Sequence, residues 1–224
     1  MTPQRLVLFT AATPLDQKYP DLARKEAVKT GAFKPRAIDP ATGKDLIVYE
    51  EAPSYSQGDA HSNVNLVDDV LIVAARESLV VLDAATGKKR WEAKHPGMAV
   101  QFPSAADGRV ICAVGKVPTA GLGHGPRRDR QIESNLNIAY DLKTGRELWR
   151  WQQKQLPIAI SHHAAIGDDR YYVFFAAPSS IAAYAFKDRG VEIVKGSFLA
   201  SIDARTGREI WVVPAKTMTD GYSL

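Results

Sequence analysis

The chain has 224 residues, of which 45% are hydrophobic and 24% charged, and its formal net charge is +4. This length suffices for one substantial core, and no apolar run approaches the roughly 18 residues that a membrane-spanning helix needs. The positive charge is spread along the chain. Its densest cluster, Arg127-Arg128-Asp129-Arg130, is accompanied by no base-stacking motif, so we expect neither a membrane span nor nucleic-acid binding.

The amino-terminal part of the chain predicts an incomplete sheet. The run Leu6–Phe9 and the run Arg36–Ile38 are interpreted as the second and third strands of a unit that spans residues 5–50 and lacks its first strand. The insert between them contains a short predicted surface helix, Pro20–Lys29. The run Leu6–Phe9 is too short for the apolar region of a signal peptide, so none is visible in this chain.

Three further units follow, predicted at residues 60–93, 99–152 and 158–214. In each, short β-branched runs alternate with polar turns, which is typical of an antiparallel meander of four strands. Asp-rich turns recur at the same place in successive units and indicate hairpins; they are Asp68-Asp69, Asp107-Gly108 and Asp168-Asp169. The third and fourth units carry insertions at residues 116–134 and near 178–196.

One motif, D-x-x-T-G-[KR], occurs four times and sets the period of these units. Its aspartates are 44, 58 and 62 residues apart, and in the last three copies a tryptophan follows the aspartate by eight positions, whereas Ile47 holds that position in the first copy. The motif residues are Asp39 and Gly43; Asp83, Thr86, Gly87 and Trp91; Asp141, Thr144, Gly145 and Trp149; and Asp203, Thr206, Gly207 and Trp211. A period in the forties with longer insertions is typical of a four-stranded propeller blade.

The motif has a structural interpretation at every position. The Asp carboxylate is expected to accept backbone N–H groups of the residues after it and the Thr hydroxyl, while the Gly adopts a positive φ. The Trp has the area to fill the gap between neighbouring blades, where its indole N–H needs an acceptor. The sequence therefore predicts an all-β protein: a β-propeller of four-stranded antiparallel blades, with about three complete blades and a partial one.

Three and a half blades leave sheet edges open, whereas propellers close with four to eight blades. Two explanations stay open. The chain is a segment of a longer propeller whose remaining blades complete the ring, or it assembles with a second subunit.

The candidate ligand site lies where the innermost strands begin. Alignment of the units places polar groups from three blades at one end of the central channel, and these residues are His61, Asn63, Gln101, His162 and His163. Converging imidazoles at a channel mouth suit a metal or a carboxylate. The alternative is that they are solvated residues at strand starts, because their spacing carries no metal signature of its own.

Two other features have structural interpretations. Residues 116–134 contain G-x-G-x-G, but Pro126 and the charged run argue against the helix that a dinucleotide site requires, which favours a flexible insertion. Cys112 is the only cysteine and lies in an apolar run, so we expect a buried structural thiol.

The repeat resembles the PQQ-type β-propeller repeat. The four motif copies quoted above carry the resemblance, which covers roughly residues 36–214 and in which the tryptophan position is called the tryptophan-docking motif. The same repeat occurs in quinoprotein alcohol and glucose dehydrogenases and in BamB, a non-catalytic lipoprotein of outer-membrane protein assembly. The resemblance implies a periplasmic or otherwise extracytoplasmic location.

Two functions follow from the resemblance. The first is a non-catalytic platform that binds a protein or polysaccharide partner on a loop face. The second is a fragment of a quinoprotein dehydrogenase, which would use pyrroloquinoline quinone with a calcium or lanthanide ion held by Glu, Asn and Asp. The chain has no adjacent cysteine pair and no C-x-x-C-H haem motif. We therefore assign no catalytic and no metal-binding residue.

Overall fold

The computed structural model describes residues 6–11, 33–53, 64–75, 77–116, 133–156, 159–177 and 196–215. In this part of the chain it contains fifteen β-strands and no helix, so no described helix is long and apolar enough to cross a membrane. The predicted helix at 20–29 and most of the insertions at 116–134 and 178–196 lie outside the described residues.

The strands form one three-stranded and three four-stranded antiparallel sheets, each built from strands consecutive in sequence. Blade 1 consists of β1 (Leu6–Ala11), β2 (Phe33–Ile38) and β3 (Asp45–Val48). Blade 2 consists of β4 (Val64–Val67), β5 (Val70–Ala75), β6 (Ser78–Asp83) and β7 (Lys89–Lys94). Blade 3 consists of β8 (Ala99–Ala106), β9 (Arg109–Lys116), β10 (Glu133–Asp141) and β11 (Glu147–Gln152). Blade 4 consists of β12 (Ile160–Gly167), β13 (Arg170–Ala176), β14 (Ser197–Asp203) and β15 (Glu209–Pro214).

This arrangement confirms the predicted partial propeller with three complete blades. Blade 1 has three strands among the described residues, with β1 and β2 wider than the predicted runs. The first strands of blades 2, 3 and 4 pack next to one another at the inner edge. Asn65 donates its side-chain N–H to the Pro103 carbonyl at 3.4 Å, and Ser104 donates its hydroxyl to the Ala164 carbonyl at 3.3 Å.

Alternation along the strands divides the core into layers between successive blades. In β6, Val80 and Leu82 pack towards blade 1, whereas Leu79 and Val81 pack towards blade 3. The side-chain period of a strand is two, so each blade buries both faces of its sheet only where it has a neighbour on both sides.

The Asp-rich turns join the first two strands of each complete blade. Asp68, Asp107, Asp168 and Asp169 have positive φ values between 50° and 56°, which Asp tolerates better than most residues. Each of these turns accepts a backbone hydrogen bond from the residue after the motif aspartate, for example from the Ala84 N–H to the Asp69 carbonyl at 2.8 Å. The hairpin turns and the motif turns therefore lie together at one end of the blades.

Candidate functional site

The motif turn is closed by its own side chains. In the second copy, an Asp83 carboxylate oxygen accepts the Thr86 hydroxyl at 2.9 Å and the Thr86 backbone N–H at 2.8 Å, and Gly87 has φ +74°. The third and fourth copies make the same bonds through Asp141 with Thr144 and Asp203 with Thr206. These carboxylates act as turn-forming acceptors.

The pKa of Asp83 is shifted further than that of the other motif aspartates. Its second carboxylate oxygen accepts a hydrogen bond from Arg90 at 2.7 Å, and Arg90 also pairs with Asp69 in the neighbouring turn. The bond from Arg90, followed by those from Thr86, lowers the pKa of Asp83 from 3.8 to about 2. Arg90 thus links the hairpin turn of blade 2 to its motif turn. This role could not be predicted from the sequence, because the residue immediately before the tryptophan position differs among the motif copies.

Each motif tryptophan of blades 2 and 3 crosses to the next blade. The indole N–H of Trp91 donates to the Leu142 carbonyl at 2.8 Å, and that of Trp149 donates to the Ala204 carbonyl at 2.9 Å. Both acceptors occupy the position after the motif aspartate of the next copy. The ring covers the motif glycine, since a Cβ on Gly145 or Gly207 would lie 2.7 Å from the tryptophan ring.

The first copy makes the same inter-blade contact with different residues. Ile47, in the tryptophan position, lies 3.3 Å from where a Cβ on Gly87 would be, so it covers that glycine. Tyr49, two residues further on, donates its hydroxyl to the Ala84 carbonyl at 2.9 Å and is fully buried. In this contact Ile47 covers the glycine and Tyr49 donates the hydrogen bond, whereas in the other two contacts one tryptophan does both.

Blades 1 and 4, at the two ends of the row, each hold one of the two groups that form this contact: blade 1 has a glycine turn and blade 4 has a tryptophan. Gly43 of blade 1 has φ +68°, and a Cβ placed there would meet no described residue within 4 Å. Trp211 of blade 4 is 38% exposed and lies beside the ring of Tyr172, at a centroid distance of 6.2 Å. The last described blade therefore holds a tryptophan with no glycine turn beneath it among the described residues.

Trp211 belongs to one face of blade 4, on which Ser201 is buried and three larger side chains are exposed. Across blade 4, Tyr172 pairs with Ser201 and Ser201 with Trp211, while Phe174 pairs with Leu199 and Leu199 with Val213. The residues that alternate with these pack towards blade 3. We call the row of Tyr172, Phe174, Leu199, Ser201, Trp211 and Val213 the outer face of blade 4. Tyr172, Trp211 and Val213 are 37%, 38% and 45% exposed and lie next to one another on this face.

The predicted channel mouth is described only in part. His61 and Asn63 lie outside the described residues, and for His162 and His163 the structure describes the backbone of β12, with a register irregularity between Ser161 and His163. Gln101 is 6% exposed on β8, and its Oε1 has no hydrogen-bond partner among the residues that the structure describes. Gln101 is thus a buried polar residue, and its role in a ligand site stays a prediction.

An open groove at the turn end lies between blades 3 and 4. It has a volume of about 600 Å³ and is lined by Asp107, Arg109, Asp168, Asp169 and Arg205. Arg205 forms a bidentate pair with Asp169, with both N–O distances 2.9 Å. The lining carries charges of both signs.

Among the described residues, no group of three or more His, Cys, Asp or Glu side chains is placed to hold a metal ion. Cys112 is fully buried between blades 2 and 3, as expected, and burial raises the pKa of its thiol.

Comparison with known proteins agrees with this architecture. The structure is similar to the quinohemoprotein alcohol dehydrogenase of Comamonas testosteroni, with a TM-score of 0.55 and 20% identity over 80% of this chain and 32% of that one. It is also similar to the quinohemoprotein alcohol dehydrogenase ADHIIG of Pseudomonas putida HK5, with a TM-score of 0.53 and 16% identity over 80% of this chain and 31% of that one. This chain thus spans about a third of their length, and such identities indicate a shared fold.

The sequence itself shows the family. No curated protein sequence matches the chain at a significant level. The family model for the outer membrane protein assembly factor BamB, in contrast, matches residues 36–223, which include all four motif copies. The chain therefore belongs to this BamB-like family of PQQ-type repeat propellers.

Proposed function

We propose that this chain is a non-catalytic scaffold that acts outside the cytoplasm by binding other proteins through its uncovered propeller surfaces. The observation that carries the proposal is the outer face of blade 4, on which Tyr172, Trp211 and Val213 are each more than a third exposed. Contiguous exposed apolar surface of this kind marks protein–protein contact sites in soluble proteins. Aromatic side chains such as Tyr and Trp are also those that dominate the energetics of such contacts.

The contacts of the motif residues support a scaffold function. The carboxylates of Asp83, Asp141 and Asp203 hold their own turns, and the indoles of Trp91 and Trp149 hold the next blade. The repeated acids and aromatics are thus used for structure, which leaves the faces and the turn end for binding.

The family supports a protein partner and a location. The family model carries the name of an outer membrane protein assembly factor, which implies contact with other proteins in the cell envelope. The charged groove lined by Asp107, Arg109 and Arg205 offers a second surface, on the loop face, where a polar protein segment or a polysaccharide would bind.

Photo-crosslinking in the cell envelope tests the proposal. A photoreactive phenylalanine at Trp211 is expected to form an adduct with a protein, whereas the same group at Leu66, which is 43% exposed on β4 away from the outer face of blade 4, forms none. An absence of protein adducts at Trp211 contradicts the proposal.

Reconstitution with the quinone tests the alternative function, that of a dehydrogenase. The purified chain is mixed with pyrroloquinoline quinone and Ca²⁺, and alcohol-dependent dye reduction and the quinone absorption band are followed. We expect neither turnover nor a saturable spectral shift. Alcohol-dependent turnover would instead assign the chain to the dehydrogenases.

A further inference from the structure

The groove of about 600 Å³ between blades 3 and 4 is built on rigid hairpins. Asp107 lies in the turn that joins β8 to β9, and Asp168 and Asp169 form the turn that joins β12 to β13. Both turns are two residues long, and each accepts a backbone hydrogen bond from the motif turn of its own blade, at 2.9 Å in blade 3 and 3.0 Å in blade 4. The side chains that line the groove thus start from fixed positions, which lowers the entropic cost of binding.

The turns themselves do not require the carboxylates of Asp107 and Asp168. These residues have φ values of 50° and 52°, in a region that Asn and Gly also adopt readily. Among the described residues, neither carboxylate accepts a hydrogen bond or forms an ion pair, whereas Asp169 is held by the bidentate pair with Arg205. The groove therefore holds two carboxylates without a described counter-charge, one from each blade.

Arg109 directs its guanidinium to the groove instead of pairing with the motif aspartate of its own blade. It lies opposite Asp141 across β9 and β10. In blade 4, Arg170 holds the corresponding position and is 3.8 Å from the carboxylate of Asp203. Arg109 instead donates to the Asp107 carbonyl at 2.9 Å, and its buried Nε has no partner among the described residues. Since a guanidinium has five N–H groups, Arg109 retains donors for a further acceptor.

We propose that this groove binds an extended protein segment that carries a lysine or arginine side chain. The cationic side chain lies between Asp107 and Asp168, and Arg109 donates to a backbone carbonyl of the same segment. The inference rests on the proposed function, because it names the chemistry of the protein partner at the second surface. The net charge of the whole chain is +4, so the preference for a cation is a local property of the groove.

The lining favours a protein segment over a polysaccharide. All five described lining residues are charged and none of them is aromatic, so they offer no ring face against which a sugar could stack. A polysaccharide of uronic acids would add negative charge beside Asp107 and Asp168, and like charges that meet in an interface are unfavourable.

Fluorescence anisotropy with defined peptides tests the proposal. Two labelled, capped peptides with the same Gly–Ser backbone, one carrying lysines and the other glutamates, are titrated with the purified chain at low and at physiological salt. We expect the lysine peptide to bind, more weakly at the higher salt, and the glutamate peptide not to bind. The double variant Asp107→Asn/Asp168→Asn should weaken binding of the lysine peptide at least about threefold, the effect of losing two exposed ion pairs.

Asp68→Asn is the matched control. Asp68 holds the same turn position in blade 2, with φ 51°, but does not line the groove. Its substitution should leave the affinity for the lysine peptide unchanged. Asn retains the turn conformation in all of these variants, and an unchanged urea midpoint verifies that they fold.

Three results would overturn the inference. The first is a lysine peptide that does not bind. The second is an equal loss of affinity in Asp68→Asn and in the double variant, which would assign binding to the general charge of the turn end. The third is a labelled uronic acid oligomer that binds and is released by Arg109→Gln, which would make the groove a carbohydrate site.

The crosslinking and quinone experiments separate this inference from the proposed function. A lysine peptide that does not bind, together with protein adducts at Trp211, leaves the scaffold function standing and refutes the inference alone. Peptide binding that the double variant weakens, together with quinone-dependent turnover, refutes the scaffold function and retains the inference.

Discussion

The indole of Trp149 lies so close over Gly207 that a Cβ on this glycine would be 2.7 Å from the ring. Gly207 also has φ +73°, a conformation that residues with a Cβ adopt at a cost. The glycine is therefore required twice, once by the turn and once by the neighbouring blade.

Gly207→Ala is expected to lower the free energy of unfolding by about 2–5 kcal/mol, the sum of backbone strain and overpacking against Trp149. Gly97→Ala is the matched control, with a similar φ of +74° and no described residue within 4 Å of an added Cβ, and should cost only about 1–2 kcal/mol. Urea denaturation measures both. Equal losses would mean that the ring of Trp149 yields without cost.

The ring and the N–H of Trp149 make separable contributions. Trp149 is 7% exposed and donates to the Ala204 carbonyl. Trp149→Ala is expected to cost about 3–5 kcal/mol through the cavity that it leaves. Trp149→Phe keeps much of the ring but leaves that carbonyl without its donor, at about 1–3 kcal/mol. If Phe proved as costly as Ala in chemical denaturation, the lost hydrogen bond rather than the cavity would dominate.

Tyr49 is expected to stabilise the contact between blades 1 and 2 through its hydroxyl. Tyr49→Phe keeps the ring but removes the buried donor to the Ala84 carbonyl, which should cost about 1–3 kcal/mol. Tyr172→Phe is the control, because Tyr172 is 37% exposed, and is expected to change the unfolding free energy by less than about 0.5 kcal/mol. A neutral Tyr49→Phe would show that water replaces the lost donor.

The sequence predicted the local parts of this architecture better than the distant ones. A motif of a few residues indicates its own turn, because Asp83, Thr86 and Gly87 contact one another, and its repetition indicates the blade. Tyr49 could not be identified in this way, since its acceptor, Ala84, lies 35 residues further on and becomes visible only once two blades are packed. The burial of Gln101, expected near a channel mouth, likewise depends on packing around the inner strands.

Acid is expected to destabilise the fold through the motif turns. The pKa of Asp83 is lowered from 3.8 to about 2, chiefly by the hydrogen bond from Arg90. A carboxylate whose pKa is lower in the folded state adds stability above its unfolded pKa, and this stability is lost as the pH falls through the folded pKa. The urea midpoint should therefore be steady from pH 7 to about 5 and fall between about pH 4 and 2.

Asp83→Asn should reduce this fall of the urea midpoint at acid pH, which we call the acid limb, because it removes the titrating group and its pairing with Arg90. Asp141→Asn is the comparison. The pKa of Asp141 is also lowered, chiefly by its hydrogen bond from the Thr144 hydroxyl, but among the described residues Asp141 accepts no hydrogen bond from an arginine. We expect a smaller change in the acid limb for Asp141→Asn. The same acid limb in Asp83→Asn as in the wild type would assign the transition to other carboxylates.

Cys112 is expected to report the opening of the contact between blades 2 and 3. Its thiol is fully buried in the cluster against which Trp91 packs, and burial raises its pKa, so the reactive thiolate is suppressed. A disulfide reagent should label the native chain slowly and the urea-unfolded chain at one site. Trp91→Ala should speed native labelling at least about tenfold, since each 1.4 kcal/mol lost multiplies the open population by ten. Trp211→Ala, on the far side of blade 4, should leave the rate unchanged. Rapid labelling of the wild type would mean that blades 2 and 3 separate freely in the native state.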